Sequence, residues 1–150
     1  MAQFRFSLEK VLRWRSVELT GEEAKLKALV QQQLHLQTLL AEVSAERSKL
    51  ISSLGTMPDL RGDDLRTLTA CGLRLRRNAE NLAQQLLRCG RELAKQRKKY
   101  SEAKRRVRLL EELKDRRLQE WKYQEAALLD ELASESFLAG WNRERSTIPD

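Results

Sequence analysis

Very few side chains in this sequence are of the types that carry out chemistry. The single histidine, His35, lies in a run of Gln and Leu with no nucleophile or second imidazole near it. The two cysteines, Cys71 and Cys89, are eighteen residues apart, which on one helix is roughly 27 Å. That distance excludes a disulfide within the helix, and the pair has no metal-ligand spacing. There is no glycine-rich phosphate loop and no nucleophile placed beside a base. Carboxylates are plentiful, but without a water-excluded pocket nothing shifts their acidity toward acid–base work. The reading is of no catalytic residue, no cofactor, no metal and no small-molecule substrate.

The charge is more informative. Net charge is +7 with a pI near 9.7, and 34% of the 150 residues are charged against 41% hydrophobic. Residues 91–117 hold twelve Lys or Arg against five acids, a surplus of seven. Residues 118–139 hold five acids (Glu120, Glu125, Asp130, Glu131, Glu135) against Lys122 alone. A basic shaft thus leads into an acidic, aromatic-bearing end. A solvated helix face, an acidic protein partner and nucleic acid are the three readings of the basic stretch. The positive residues wrap several helix faces with no aromatic platform among them, which weighs against nucleic acid.

Long helices must position these groups. With two prolines and six glycines, little in the chain punctuates strands or loops. Leu12, Leu19, Leu26, Gln33, Leu40, Arg47 and Leu54 recur every seventh residue, as do Leu8, Arg15, Glu22, Leu29, Leu36, Val43 and Leu50. Ten of these fourteen positions are apolar, which meets the criterion for a coiled-coil seam. The Pro- and Gly-bearing stretch 55–64 breaks the pattern. A second run begins after it, through Leu65, Gly72, Ala79, Leu86, Leu93, Tyr100, Val107, Lys114, Trp121 and Leu128. Its companion positions are Leu68, Leu75, Leu82, Cys89, Gln96, Ala103, Leu110 and Arg117.

The expected fold is therefore all-α, a long antiparallel two-helix coiled-coil hairpin forming one domain over residues 1–150. Helix one is expected over about 7–54 with Ser7 as its cap, and a turn over about 55–64 with Asp63 or Asp64 capping the second helix. Helix two is expected over about 65–137, with Gly72 fraying or kinking its first turns, and a loose tail over 139–150. The favoured register opposes Leu12 with Leu110, Leu29 with Leu93, Leu36 with Leu86, Leu40 with Leu82, and Leu54 with Leu68. A slip by one heptad also keeps apolar layers. Flanking charges, such as Glu23 with Arg97 or Glu9 against Glu111, are worth too little to decide.

Helix one spans roughly 72 Å and helix two roughly 105 Å. The longer arm then carries Trp121, Leu128, Leu129 and Leu132 past its partner, with only Phe4 and Phe6 at the edge. Such an uncovered stripe marks a binding surface or an oligomer contact.

The two ends also resemble a known family. The opening Phe4-Arg5-Phe6-Ser7-Leu8-Glu9-Lys10-Val11-Leu12-Arg13 is similar to the start of the flagellar export proteins of the FliJ family. The basic helix through Leu109-Leu110-Glu111-Glu112-Leu113-Lys114-Asp115-Arg116-Arg117 passes into an acidic segment closing on Asp130-Glu131, which resembles the family's ending. The resemblance implies a non-catalytic stalk of the flagellar type III export apparatus. Such a stalk enters and activates a hexameric export ATPase, links it to the membrane export gate, and in some members binds export chaperones. It implies a cytoplasmic protein held at the inner-membrane face of the flagellar base. Phe4, Phe6, Leu8, Lys10, Arg13, Arg116, Arg117, Trp121, Tyr123, Leu128, Leu129 and Leu132 are the expected ATPase-facing residues. The alternatives are the sister stalk proteins of virulence type III secretion systems and a generic coiled-coil adaptor or dimerising scaffold.

Overall fold

The computed structural model describes residues 3–56 and 61–147. Two helices, α1 (Glu9–Thr56) and α2 (Gly62–Ser146), pack against each other as an antiparallel hairpin, and α2 is the longer at 85 residues against 48. No strand occurs among the described residues. The packing falls into two compact units, Glu18–Lys104 and the combination of Met1–Val17 with Arg105–Asp150.

The heptad seam is what the helices bury. Every seam position over residues 8–54 except Arg47 is buried or half-buried. In the Glu18–Lys104 unit the core consists of Leu36, Leu75, Cys89, Leu93 and Ala103, with Gln96 as a polar layer. In the other unit Phe6, Leu12 and Val107 are buried. Two helices cannot surround a side chain, and among the described residues none falls below 2% exposure.

The register follows from local contacts. A Cβ built on Gly72 would lie 3.8 Å from Cδ2 of Leu50, the layer next to Leu54 opposite Leu68. The one-heptad slip would have set Leu50 against Leu65 instead. Gln96 Nε2 donates to the backbone carbonyl of Glu22 at 3.1 Å and to its carboxylate, and Cys89 Sγ lies 3.6 Å from the Leu29 carbonyl. Both cysteines are free thiols, Cys71 half-buried and Cys89 buried. His35 is exposed.

The helix bounds differ from those expected. Ser7 does not cap α1; its hydroxyl accepts a hydrogen bond from Arg117 Nη1 at 2.8 Å. The carbonyl of Leu8, the residue just ahead of α1, accepts from the Leu12 N–H at 2.9 Å. Nor does Asp63 or Asp64 cap α2. Both sit inside its first turn, where carboxylates favour the positive end of the helix dipole, and the carbonyl of Arg61 accepts from Leu65 N–H at 3.1 Å. No described glycine has positive φ, so α2 runs through Gly72 without a break. Of the expected turn, residues 57–60 lie outside the described residues.

The largest difference is at the far end. α2 does not stop near 137 but continues through Gly140 to Ser146. One glycine costs a helix about 1 kcal/mol relative to Ala, and the flanking turns absorb it. Arg143 and Arg145 in the last turn suit the negative end of the dipole. Of the expected loose tail, residues 139–146 are therefore helical, Thr147 is a turn, and 148–150 lie outside the described residues.

Candidate functional site: the far end of the longer helix

In the unit formed by Met1–Val17 and Arg105–Asp150, the segment ahead of α1 folds against α2. Glu9 N–H donates to the Phe6 carbonyl at 3.2 Å, which turns the chain into the helix. The Phe4 ring then meets Trp121, with centroids 6.0 Å apart and planes tilted by 52°. Phe6 is buried, and the Arg117 guanidinium stands 5.7 Å over its ring. Lys114 Nζ lies 2.9 Å from Glu9 Oε2. An aromatic pair, a cation over an aromatic face and an ion pair thus fasten the start of the chain to residues 114–121.

Of the twelve expected partner-facing residues, Phe4, Phe6, Arg117 and Trp121 come together in this cluster. Leu8 is half-buried beside it. Lys10, Arg13 and Arg116 are exposed. Arg13 also lines an open cleft of about 490 Å³ with Phe4, Arg5, Phe6, Glu9 and Lys114.

Beyond Trp121 only Glu125 is even half-covered, and every other described residue to the end of α2 is exposed. Leu128, Leu129 and Leu132 stand 54%, 62% and 59% open. Helical geometry puts Trp121, Leu128 and Leu132 on one face, continuing the seam past the point where Phe4 covers it. Tyr123 lies on the opposite face, in line with Phe137 and Trp141, and all three are exposed.

Two features escaped the sequence reading. Phe137, Leu138 and Trp141 extend the apolar end, and ending the second helix near 137 with a loose tail from 139 hid them. Glu9 pairs with Lys114, three residues along α2 from the Glu111 it was expected to oppose. The expected pair of Glu23 with Arg97 gives way to a pair within α1. Glu23 lies 3.5 Å from Lys27, and Glu22 lies 3.7 Å from Lys25.

Among the described residues no group of three or more His, Cys, Asp or Glu is placed to hold a metal ion. None of their helices is long and apolar enough to cross a membrane. What this end of α2 can do is bind. It offers an apolar helix face with acidic flanks, beside a cationic and aromatic collar.

The family model for the flagellar FliJ protein matches residues 4–140. The chain belongs to the FliJ family. No curated protein and no solved structure gives a significant match. The match takes in both ends that carry the resemblance, the collar at Phe4 and Phe6 and the uncovered face at 128–132. Membership gives this chain a role in flagellar protein export, in a family of non-enzymatic export components.

Proposed function

We propose that this FliJ family chain is the central stalk of a flagellar type III export apparatus. It inserts one end into a hexameric export ATPase, activates it, and connects it to the membrane export gate, with export chaperones as further partners. It acts at the cytoplasmic face of the inner membrane and catalyses nothing itself. The observation that carries this reading is the apolar face of α2 beyond Trp121, where Leu128, Leu129 and Leu132 are all more than half exposed. A monomeric soluble protein seldom leaves such a face open without a partner.

A stalk that enters a ring needs reach, an apolar contact face and charge to orient it. Residues 121–146 supply about 38 Å of helix. The leucines supply the contact face. Lys10, Arg13, Arg116 and Arg117 surround its base with positive charge, suited to acidic groups on a ring lumen. Phe4, Phe6 and Leu8 brace that base, and Trp121 and Tyr123 begin the inserted end.

The experiment is truncation after Glu120, assayed by hydrolysis of ATP by the cognate export ATPase. Loss of stimulation, with helicity per residue and melting of the remaining hairpin largely kept, supports the reading. Undiminished stimulation by the shortened chain removes it. Stimulation of a virulence-system ATPase in preference to a flagellar one moves the assignment to the sister system.

A further inference from the structure

The segment ahead of α1 meets α2 in sequence order and runs antiparallel to it. Glu9 Oε2 lies 2.9 Å from Lys114 Nζ, and Ser7 Oγ lies 2.8 Å from Arg117 Nη1. The Phe4 ring then lies 6.0 Å from the indole of Trp121, centroid to centroid. Lys114 and Arg117 occupy seam positions where α2 carries charge, and at Trp121 the apolar seam resumes. Residues 4–9 thus bridge the charged gap and end on the first apolar seam residue past it.

The ties are unequal. Phe6 is buried, with the Arg117 guanidinium over its ring, and it anchors the segment. Ahead of Phe6, Gln3 and Arg5 are exposed and Phe4 is only half-buried. The bond from Arg117 to Ser7 is open to water. Phe4, Arg5 and Phe6 also border an open cleft of about 490 Å³, so the segment is not packed tightly along its length. A single ring-on-ring contact with Trp121 is what Phe4 adds to the Phe6 anchor.

Trp121 is also the first member of the face that continues through Leu128 and Leu132, which stand 54% and 59% exposed. The three span about 17 Å of helix. A partner seated on the two leucines reaches the indole by extending two turns further along the same face. The indole offers it more apolar area than either leucine, and Phe4 stands in its place.

We propose that residues 3–5 are a displaceable strap. Phe4 lifts from Trp121 when the partner seats on Leu128 and Leu132, and Phe6 stays behind as the anchor. In the free chain the strap shields Trp121 from water. It also lowers the affinity of the partner, which takes the whole face only from the opened form. The inference rests on the stalk reading, with the ring lumen as the partner that displaces Phe4.

Two measurements on the full chain test it. The first titrates the cognate export ATPase with the Phe4→Ala chain and with the unchanged chain. Loss of the strap contact with Trp121 in place is expected to move half-maximal stimulation to about three- to tenfold lower concentration. The melting temperature is expected to fall slightly, and a Phe4 that contacts the ring or only braces the hairpin would not give that combination. Unchanged or weaker stimulation by Phe4→Ala overturns the proposal. The second places a bimane fluorophore on Gln3→Cys in a chain carrying Cys71→Ser, Cys89→Ala, Trp14→Phe and Trp141→Phe, so that Trp121 is the one indole left to quench it. The dye is expected to be quenched in the free chain, to brighten with Trp121→Phe, and to brighten when the ATPase is added. Quenching that persists in the complex overturns the proposal, as does a free chain in which Trp121→Phe changes nothing. If the unchanged chain gives no stimulation at all, the stalk reading has failed and the strap has lost its partner with it.

Discussion

The ring of Phe4 rests against the indole of Trp121, their centroids 6.0 Å apart, and past that contact every described residue of α2 except Glu125 is exposed. The pair marks where the hairpin stops covering itself. A tilted aromatic contact adds about 0.5–1.5 kcal/mol beyond burial. Phe4→Ala is expected to cost about 1 kcal/mol and to expose Trp121. In a Trp14→Phe, Trp141→Phe background the remaining tryptophan emission should shift to the red, and an unshifted spectrum would mean that Phe4 does not shield it.

Gln96 is the one buried polar residue in the described core, and it donates to the carbonyl and the carboxylate of half-buried Glu22 across the seam. Polar layers cost stability and set register. Replacing both residues by Leu should raise hairpin stability by about 1–3 kcal/mol and admit the one-heptad slip. Glu22→Leu alone should cost less than a fully lost buried hydrogen bond, because Gln96 keeps its bond to the backbone carbonyl at position 22. Distances between spin labels on α1 and α2 would read the register as one population in the natural chain and two in the double variant.

Gly72 sits in the seam, and a Cβ there would make an ordinary 3.8 Å contact with Leu50. Gly72→Ala should stabilise by about 1 kcal/mol through helix propensity. Urea denaturation measures it, as a higher midpoint at unchanged slope.

The ion pair of Lys114 with Glu9 is short, at 2.9 Å, but both side chains remain more than a third exposed. Water and salt screen such a pair to about 1 kcal/mol or less. Glu9→Gln should therefore lower stability by a few tenths of a kcal/mol, with the difference shrinking as salt rises. A loss that persists in high salt would point to a packing role for the Glu9 stem.

The heptad seam was legible because its period is physical. Leu12, Leu36, Leu75 and Leu93 recur at the spacing that keeps one face toward a partner, and all four are buried. The register was legible only in part, since a one-heptad slip also keeps apolar layers. Glu22 and Gln96 were visible as seam residues, but their mutual bond was not. Helix ends were harder to read. Ser7 has the composition of a cap, yet Arg117, distant in sequence, takes its hydroxyl. Gly140 has the composition of a stop, yet nothing in its surroundings draws the chain out of the helix.

Of the candidate site, the uncovered stripe was legible from unequal helix lengths, with Leu128, Leu129 and Leu132 named by their place past the partner helix. The collar was legible only in outline, because a cation over Phe6 and an aromatic contact at Trp121 depend on how residues 4–7 fold back. Tyr123 could be placed off the stripe by counting helix turns alone. Exposed charges resisted prediction for an energetic reason. Pairs three or four residues apart on one helix compete with cross-helix pairs of similar small worth, as Glu23 does in choosing Lys27.

The central claim is that the open face of α2 engages the ring. Its most direct measurement is stimulation of the cognate flagellar export ATPase by a chain carrying Leu128→Ser, Leu129→Ser and Leu132→Ser, titrated against the unchanged chain. All three positions are already exposed, so helicity and melting should stay close to those of the parent. The account predicts that half-maximal stimulation moves to at least about tenfold higher concentration. An unchanged titration curve would contradict it.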